Sequence, residues 1–179
     1  LNAHGFNNGD LSGQSNNPLN WNIGQANNLQ QMFSGATSFN QPIDFSHVII
    51  DMSGGNTYQY KQWDVSGVKR MGQLFNGCTS FNQSISNWNT SKVTKMIEMF
   101  KNATAFNQPI GGWDVSSVNS MNGMFRDARA LDQDIGDWDT SNVINMNTMF
   151  YSAHSFNQPI GSWDVSKVSN MGGMFTGAK

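Results

Sequence analysis

The stretch FNQPIGGWDV, residues 106–115, recurs fifty residues later as FNQPIGSWDV, residues 156–165, with one letter changed. The tryptophan in it marks a longer repeat. Five of the six tryptophans stand 25 residues apart, and Trp21 precedes Trp63 by 42 residues. Counted from each Trp, residues of one class recur at fixed offsets, in the pattern W-[DN]-[VT]-S-x-V-x-x-M-x-x-M-F-x-x-A-x-x-F-N-Q-P-I-x-x. The chain is therefore an array of repeats, whose units begin at Trp21, Trp63, Trp88, Trp113, Trp138 and Trp163.

Each unit contains two segments with an apolar pattern. The spacing of Val118, Met121, Met124, Phe125 and Ala128 fits one face of a helix, and the Ser that precedes such a run is a suitable N-cap. Around each Trp the pattern Ile-x-x-Trp-x-Val alternates as a short strand does. One unit cannot bury its Trp and its Met-Phe pair alone, but stacked units can. We therefore predict an α/β repeat solenoid, with a parallel sheet on one side and short helices on the other.

The repeat register divides the chain into two parts. Residues 1–20 are predicted to be an N-terminal cap, and residues 21–179 a single solenoid of about six 25-residue repeats. An insertion at about residues 44–62 interrupts the array and contains the apolar run 48–50. The insertion is either an eroded repeat whose apolar run still pairs as a strand, or a loop that contacts a ligand. The candidate contact residues of the second alternative are His47, Tyr58 and Tyr60.

Acidic residues recur beside the tryptophans, in the outward position between Trp and Val or Thr. Each carboxylate could accept a hydrogen bond from a backbone N–H in the turn, or the set could bind Ca²⁺ or a cationic partner. The candidate ligand-binding residues are Asp64, Asn89, Asp114, Asp139 and Asp164. A possible calcium cluster lies in the segment DQDIGDWD, although no bidentate Glu follows it and solvent-loop drift is the alternative. Its carboxylates are Asp132, Asp134, Asp137 and Asp139.

Side-chain amides form two further columns, one of Asn and one of Gln. The first is predicted to satisfy backbone groups of the turn, because buried backbone polar groups need partners. It contains Asn40, Asn82, Asn107 and Asn157, with Asp132 replacing one Asn. The Gln that follows each of these residues has no role that the sequence indicates. We assign the repeated Met residues to the core.

Composition argues against several classes of function. Only 12% of the residues are charged and the net charge is −2, with Lys and Arg scattered, so the chain is not expected to bind nucleic acid. No segment approaches the roughly 18 apolar residues of a membrane span. The single cysteine cannot form an intramolecular disulfide. The three histidines recur with no Ser-His-Asp or Cys-His spacing, and we predict that the protein is not an enzyme.

The motif Ile-x-x-Trp-Asp-Val-Ser, combined with Met-Phe-x-x-Ala-x-x-Phe-Asn, resembles the repeat of the BspA-like leucine-rich repeat surface proteins of bacteria and mycoplasmas. The resemblance covers Asn16 to the C-terminus with one interruption. It implies a leucine-rich-repeat-like solenoid, with short parallel strands on the concave side and short helices on the convex side. Ile110, Trp113 and Val115 would then occupy the three leucine positions of one strand. It also implies an extracellular or cell-surface module, without catalytic residues, that mediates adhesion or protein–protein recognition.

Other functions remain open at this point. The chain could be a structural or self-assembling repeat of a larger surface protein, with end-to-end self-association. It could also present an ice- or glycan-binding face built from the ordered polar columns. The Asp column argues against ice binding, which requires a flat surface free of charge. The expected partner is a protein or a glycan at a cell surface or in a matrix.

Overall fold

A computed structural model describes residues 23–43, 48–50, 57–59 and 63–178, with the backbone alone for 48–50 and 57–59. In residues 23–43 and 63–178 the chain winds into coils, with one coil per repeat, and the coils stack on one another. Neighbouring coils are joined by isolated parallel β-bridges at one position of the repeat. The bridged pairs are Asn28 with Arg70, Arg70 with Lys95, Lys95 with Ser120, Ser120 with Asn145, and Asn145 with Asn170.

Two strands lie in the insertion. Strand β1 is Val48–Ile50 and strand β2 is Thr57–Gln59. They pair antiparallel, with Ile49 opposite Tyr58. The prediction that the apolar run of the insertion pairs as a strand is confirmed, and its partner lies within the insertion itself. The described ranges contain no further strand and no helix, and thus no helix long and apolar enough to cross a membrane.

The predicted α/β class is wrong, because the segment from Val118 to Ala128 is a series of turns. The backbone N–H of Val118 donates to the carbonyl of Val115 at 2.8 Å, and that of Ala128 donates to the carbonyl of Phe125 at 3.1 Å. Met124 donates in the same way to Met121. The apolar spacing of three residues is therefore the spacing of successive turns, and not part of a 3.6-residue helical period.

The predicted strand is also absent. The N–H of Trp113 donates to the carbonyl of Ile110 at 3.1 Å, which closes a turn over the two glycines between them. A chain that turns between Ile110 and Trp113 cannot place Ile110, Trp113 and Val115 along one extended strand. Single bridges thus replace the parallel sheet, and neither the concave strands nor the convex helices of a leucine-rich repeat occur among the described residues.

Hydrogen bonds between coils explain why turns replace the helix. Alternate N–H groups of one coil donate to carbonyls of the next, as Met121 does to Asn145 and Phe125 does to Met149, both at 2.9 Å. The intervening N–H groups close the turns. An α-helix would use its donors internally, which would leave nothing to join successive coils. The turn series therefore satisfies the backbone and links the repeats at the same time.

The turn series requires a left-handed backbone at two positions of every coil, ten and fourteen residues after the Trp of the repeat. Five of these positions are glycines and seven carry side chains, which raises the energy of each by roughly 1–2 kcal/mol. The seven are Gln31, Gln73, Glu98, Asn102, Asp127, Thr148 and Ser152. Stacking must offset this strain, since the same conformation recurs in each coil.

Thr148 carries the least suitable side chain for a left-handed backbone, with φ of 51° at a β-branched residue. Asn adopts this region more readily, as Asn102 does at φ 58°. We expect Thr148→Asn to raise the free energy of unfolding by about 0.5–1 kcal/mol, measured by urea denaturation. The control is Thr176→Asn, because Thr176 has no positive φ. An equal gain in both variants would contradict the strain argument.

The core lies inside the stack of coils, and the predicted columns of buried residues are confirmed. Trp, Met and Phe side chains of successive repeats stack directly, with ring centroids 5.5 Å apart for Phe75 and Phe100 and 5.7 Å apart for Phe100 and Phe125. Met121 and Met124 are completely buried. Each large side chain buried in this way contributes roughly 1.5–3 kcal/mol, so each repeat is stabilised mainly by its neighbours.

Candidate binding surfaces

The acidic column lies on the surface and is built from turns. The Oδ1 atom of each member accepts a hydrogen bond from the backbone N–H two residues later, at 3.0 Å in Asp64, 3.2 Å in Asn89, 3.0 Å in Asp114, 3.0 Å in Asp139 and 2.9 Å in Asp164. The donors are the Ser residues that the sequence predicted to be helix N-caps. The hydrogen-bonding alternative is therefore confirmed for this column, and ligand binding by the same residues stays a prediction.

Hydrogen bonds also stabilise the charged form of two carboxylates in this column. The side-chain and backbone hydrogen bonds from Ser66 lower the pKa of Asp64, and those from Ser141 lower the pKa of Asp139. The charge of Asp164 opposes this effect in Asp139. Because these pKa values are lower in the folded state, the stability they contribute is present above the unfolded-state pKa and is lost as the pH falls through the lowered values. At neutral pH these two carboxylates are negatively charged.

The carboxylates of the predicted calcium cluster have different hydrogen-bond partners. Asp132 accepts from the backbone of Asn157 at 3.0 Å and Asp134 accepts from Gly136 at 3.0 Å, while Asp139 accepts from Ser141. In the part of the chain that the structure describes, no group of three or more His, Cys, Asp or Glu residues could hold a metal ion. The arrangement favours hydrogen-bonded turns, and calcium binding is a hypothesis for direct test.

That test is thermal melting in the presence of calcium. A ligand that binds only the folded state must raise the midpoint of unfolding. Since three of the four carboxylates already accept hydrogen bonds from the protein, we expect no difference between calcium chloride and magnesium chloride at equal concentration. A rise in midpoint specific to calcium, lost in Asp134→Asn, would restore the calcium hypothesis.

The Asn and Gln columns form one ladder that runs across the coils. The Oδ1 atom of each Asn accepts from the backbone N–H of the next Asn and from the side-chain amide of the next Gln. For Asn82 these donors are Asn107 N at 3.0 Å and Gln108 Nε2 at 2.9 Å. Asp132 takes the same pair of bonds from Asn157 and Gln158. The structural prediction for the Asn column is confirmed, and the ladder assigns the Gln column its role.

The ladder predicts different results for two substitutions of Asn107. Its Oδ1 accepts from Asp132 N at 2.9 Å and Gln133 Nε2 at 2.7 Å. Asn107→Ala removes this acceptor, and we expect a loss of about 1–2 kcal/mol in the free energy of unfolding. Asn107→Asp keeps it, as position 132 shows, and should cost less than about 0.5 kcal/mol. Denaturant unfolding at pH 7 compares the two, and equal losses would show that the acceptor is unimportant.

The candidate contact residues of the insertion are not placed by the structure. His47 and Tyr60 lie outside the described residues, as do Trp21 and the predicted cap at residues 1–20. Tyr58 lies on β2, where the backbone alone is described. A role of His47, Tyr58 and Tyr60 in ligand contact therefore stays a prediction.

The last coil that the structure describes, residues 163–178, differs in burial from the coils before it. Val165 is 42% exposed, Met171 42% and Phe175 48%. Two coils earlier, the equivalent residues Val115, Met121 and Phe125 are at most 1% exposed. Inside the stack, such side chains are covered by the coil that follows their own.

The backbone of this coil shows the same difference. Inside the stack, the N–H groups of Met146, Thr148, Phe150 and Ser152 donate to carbonyls of the following coil at 2.8–2.9 Å. The corresponding N–H groups of the last described coil belong to Met171, Gly173, Phe175 and Gly177, and within residues 63–178 none of them has an acceptor. The exposure of this coil therefore follows from its being the last one described, and we assign no binding site to it.

Comparison with known families gives one match. The model of a family described as "Mycoplasma protein of unknown function, DUF285" matches residues 2–54, 44–143 and 112–179, which together span nearly the whole chain. The chain belongs to DUF285. The matches overlap, and together they cover all six repeats of this DUF285 chain.

The family match corrects the resemblance drawn from the sequence. The matching model is that of DUF285 and not that of the BspA-like leucine-rich repeat proteins, and the coils lack the strands and helices that the resemblance implied. No curated protein and no solved structure matches the DUF285 chain. Its function must therefore be argued from its own surfaces.

Proposed function

We propose that this DUF285 chain is a non-enzymatic repeat module that recognises other proteins at a cell surface. The observation that carries the proposal is the stack of coils, which presents the same outward positions at regular spacing along its length. Repeat stacks of this kind form extended surfaces that bind other proteins. Adhesion and extracellular location are parts of the same proposal.

The acidic column determines the type of partner that the stack fits. Its carboxylates are exposed, and each is held by the same turn in its own coil, as in Asp64, Asp114, Asp139 and Asp164. Complementary charge across an interface favours association and selects the partner. The partner is thus a protein with a basic surface.

The chemistry of the single cysteine supports a role without catalysis. Burial raises the pKa of the Cys78 thiol to about 12, so the nucleophilic thiolate is scarce at neutral pH. The side chain occupies the column of small core residues and donates to the carbonyl of Phe33 at 3.0 Å. Cys78 therefore acts as a core residue.

The proposal is tested by binding of the purified chain to a panel of extracellular matrix proteins, with a glycan array alongside. The test variant is Asp64→Asn/Asp114→Asn, which removes two charges of the acidic column and keeps the turns, as Asn89 shows. The control is Asp134→Asn/Asp137→Asn, because both residues are exposed and lie outside the column. We expect the test variant to weaken binding at least tenfold and the control to leave it unchanged, with melting curves similar for all three proteins.

Two results would overturn the proposal. One is the absence of binding to any protein in the panel. The other is binding that the test variant leaves intact. Protease treatment of intact cells tests the location separately, since a surface protein is digested while cytosolic markers survive.

A further inference from the structure

A groove lies beside the β-bridges of the first described coils. It has a volume of about 390 Å³ and is lined by Gln30, Arg70, Gly72, Gln73, Lys95 and Ile97. A smaller groove of about 260 Å³ adjoins it, and Arg70 lines both. We call the larger of the two the basic groove.

A missing side chain opens the basic groove. The residue nine positions after each Trp forms a column in which Gln30, Gly72 and Ile97 stand on successive coils. A Cβ atom at Gly72 would lie 3.4 Å from the carbonyl oxygen of Ile97 and 3.8 Å from Cγ of Gln30, so a side chain fits there. Gly72 has no positive φ, and Asn122 and Asn147 occupy the same column in later coils. The backbone therefore does not require glycine, and its effect is to leave space.

Positive charge concentrates around this space. Arg70 and Lys95 face each other across one parallel β-bridge, and Lys69 lines the adjoining groove. Later members of the bridged column are Ser120, Asn145 and Asn170, which carry no charge. Bridged residues lie about 5 Å apart at the backbone, so two like charges extend from neighbouring positions of the stack.

No carboxylate neutralises these cations in the described part of the chain. Neither Arg70 nor Lys95 forms an ion pair there. The nearby Glu98 is engaged elsewhere, since it accepts from Lys101 Nζ at 2.7 Å and from Gln73 Nε2 at 2.7 Å. The basic groove thus combines two cations without an ion-pair partner, the side-chain amide of Gln30 and the space left by Gly72.

We infer that the basic groove binds a phosphate or sulfate group. A guanidinium presents a planar fork that two oxygens of a tetrahedral oxyanion can accept, and an ammonium adds a point charge beside it. An oxyanion between Arg70 and Lys95 would relieve their mutual repulsion. The site is independent of the proposed recognition of other proteins.

Binding is measured by titrating the full chain with sodium sulfate or sodium phosphate at constant ionic strength, followed by NMR shifts of the Gly72 and Lys95 amides. The variant Arg70→Gln/Lys95→Gln removes both cations. Gly72→Asn keeps the cations and fills the groove with the side chain found at positions 122 and 147. The control Lys92→Gln/Lys167→Gln removes the same net charge at exposed sites elsewhere.

We expect saturable binding that both groove variants weaken at least tenfold and the control leaves within twofold. The phosphate and sulfate arms distinguish the two ions. Phosphate affinity should rise as the pH increases through neutrality, because dihydrogen phosphate loses its second proton there, whereas sulfate affinity should stay constant. The inference is overturned by shifts that do not saturate, by equal weakening in the control, or by full binding in Gly72→Asn.

Discussion

Trp113→Ala should lower the free energy of unfolding by about 3–5 kcal/mol. The Trp113 side chain is 3% exposed, and its ring stacks at 6.3 Å on Trp88 and at 6.2 Å on Phe100. Its Nε1 donates to the carbonyl of Ile85 at 3.1 Å. Removal of the ring opens a cavity between two coils and leaves the Ile85 carbonyl with only its hydrogen bond from the Trp88 N–H. Chemical denaturation followed by far-UV circular dichroism measures the loss.

A matched pair of substitutions separates the hydrogen bond from the packing. Trp113→Phe and Trp88→Phe both shorten the ring, but Trp88 Nε1 is buried and has no partner among the residues that the structure describes. We therefore expect Trp113→Phe to cost about 1 kcal/mol more than Trp88→Phe. Equal losses would show that the indole hydrogen bond contributes nothing net.

The difference between these two tryptophans follows from the insertion. Trp113 donates to Ile85, the residue three positions before the preceding Trp, and Trp138 donates in the same way to Ile110. Three positions before Trp63 the sequence has Tyr60, which belongs to the insertion and lies outside the described residues. The repeat pattern therefore assigns Trp88 no acceptor among the described residues.

The sequence predicts the buried columns correctly because burial recurs with the repeat. It does not predict the backbone that connects them. Val118, Met121 and Met124 are three residues apart, and over so short a run this spacing fits both a helix and a series of turns. The deciding hydrogen bonds join residues of different coils, as between Gly123 and Asn147, and no single repeat reveals them.

The basic groove depends on how the coils stack, which is why the sequence did not reveal it. Arg70 and Lys95 are 25 residues apart in the sequence. One coil per repeat places them in a bridged pair. The Asn ladder was predictable, since each Asn meets the same turn in every coil.

The two glycines of the opening stretch should respond differently to the same substitution. A Cβ atom at Gly111 would overlap the backbone carbonyl oxygen of Asp134 on the next coil, whereas a Cβ atom at Gly112 would meet nothing within 4 Å. Gly136 repeats the arrangement of Gly111, with Pro159 O at 2.6 Å from the added Cβ. A backbone oxygen cannot turn away as a flexible side chain can, so Gly111→Ala must push two coils apart.

We expect Gly111→Ala to lower the free energy of unfolding by about 1–3 kcal/mol, the usual effect of overpacking. Ser86 occupies the equivalent position one coil earlier, so a local shift can relieve part of the overlap and the loss should not exceed this range. Gly112→Ala is the matched control and should change stability by less than about 0.5 kcal/mol. Equal effects, measured by urea denaturation of both variants, would show that close approach between coils does not explain the glycine at position 111.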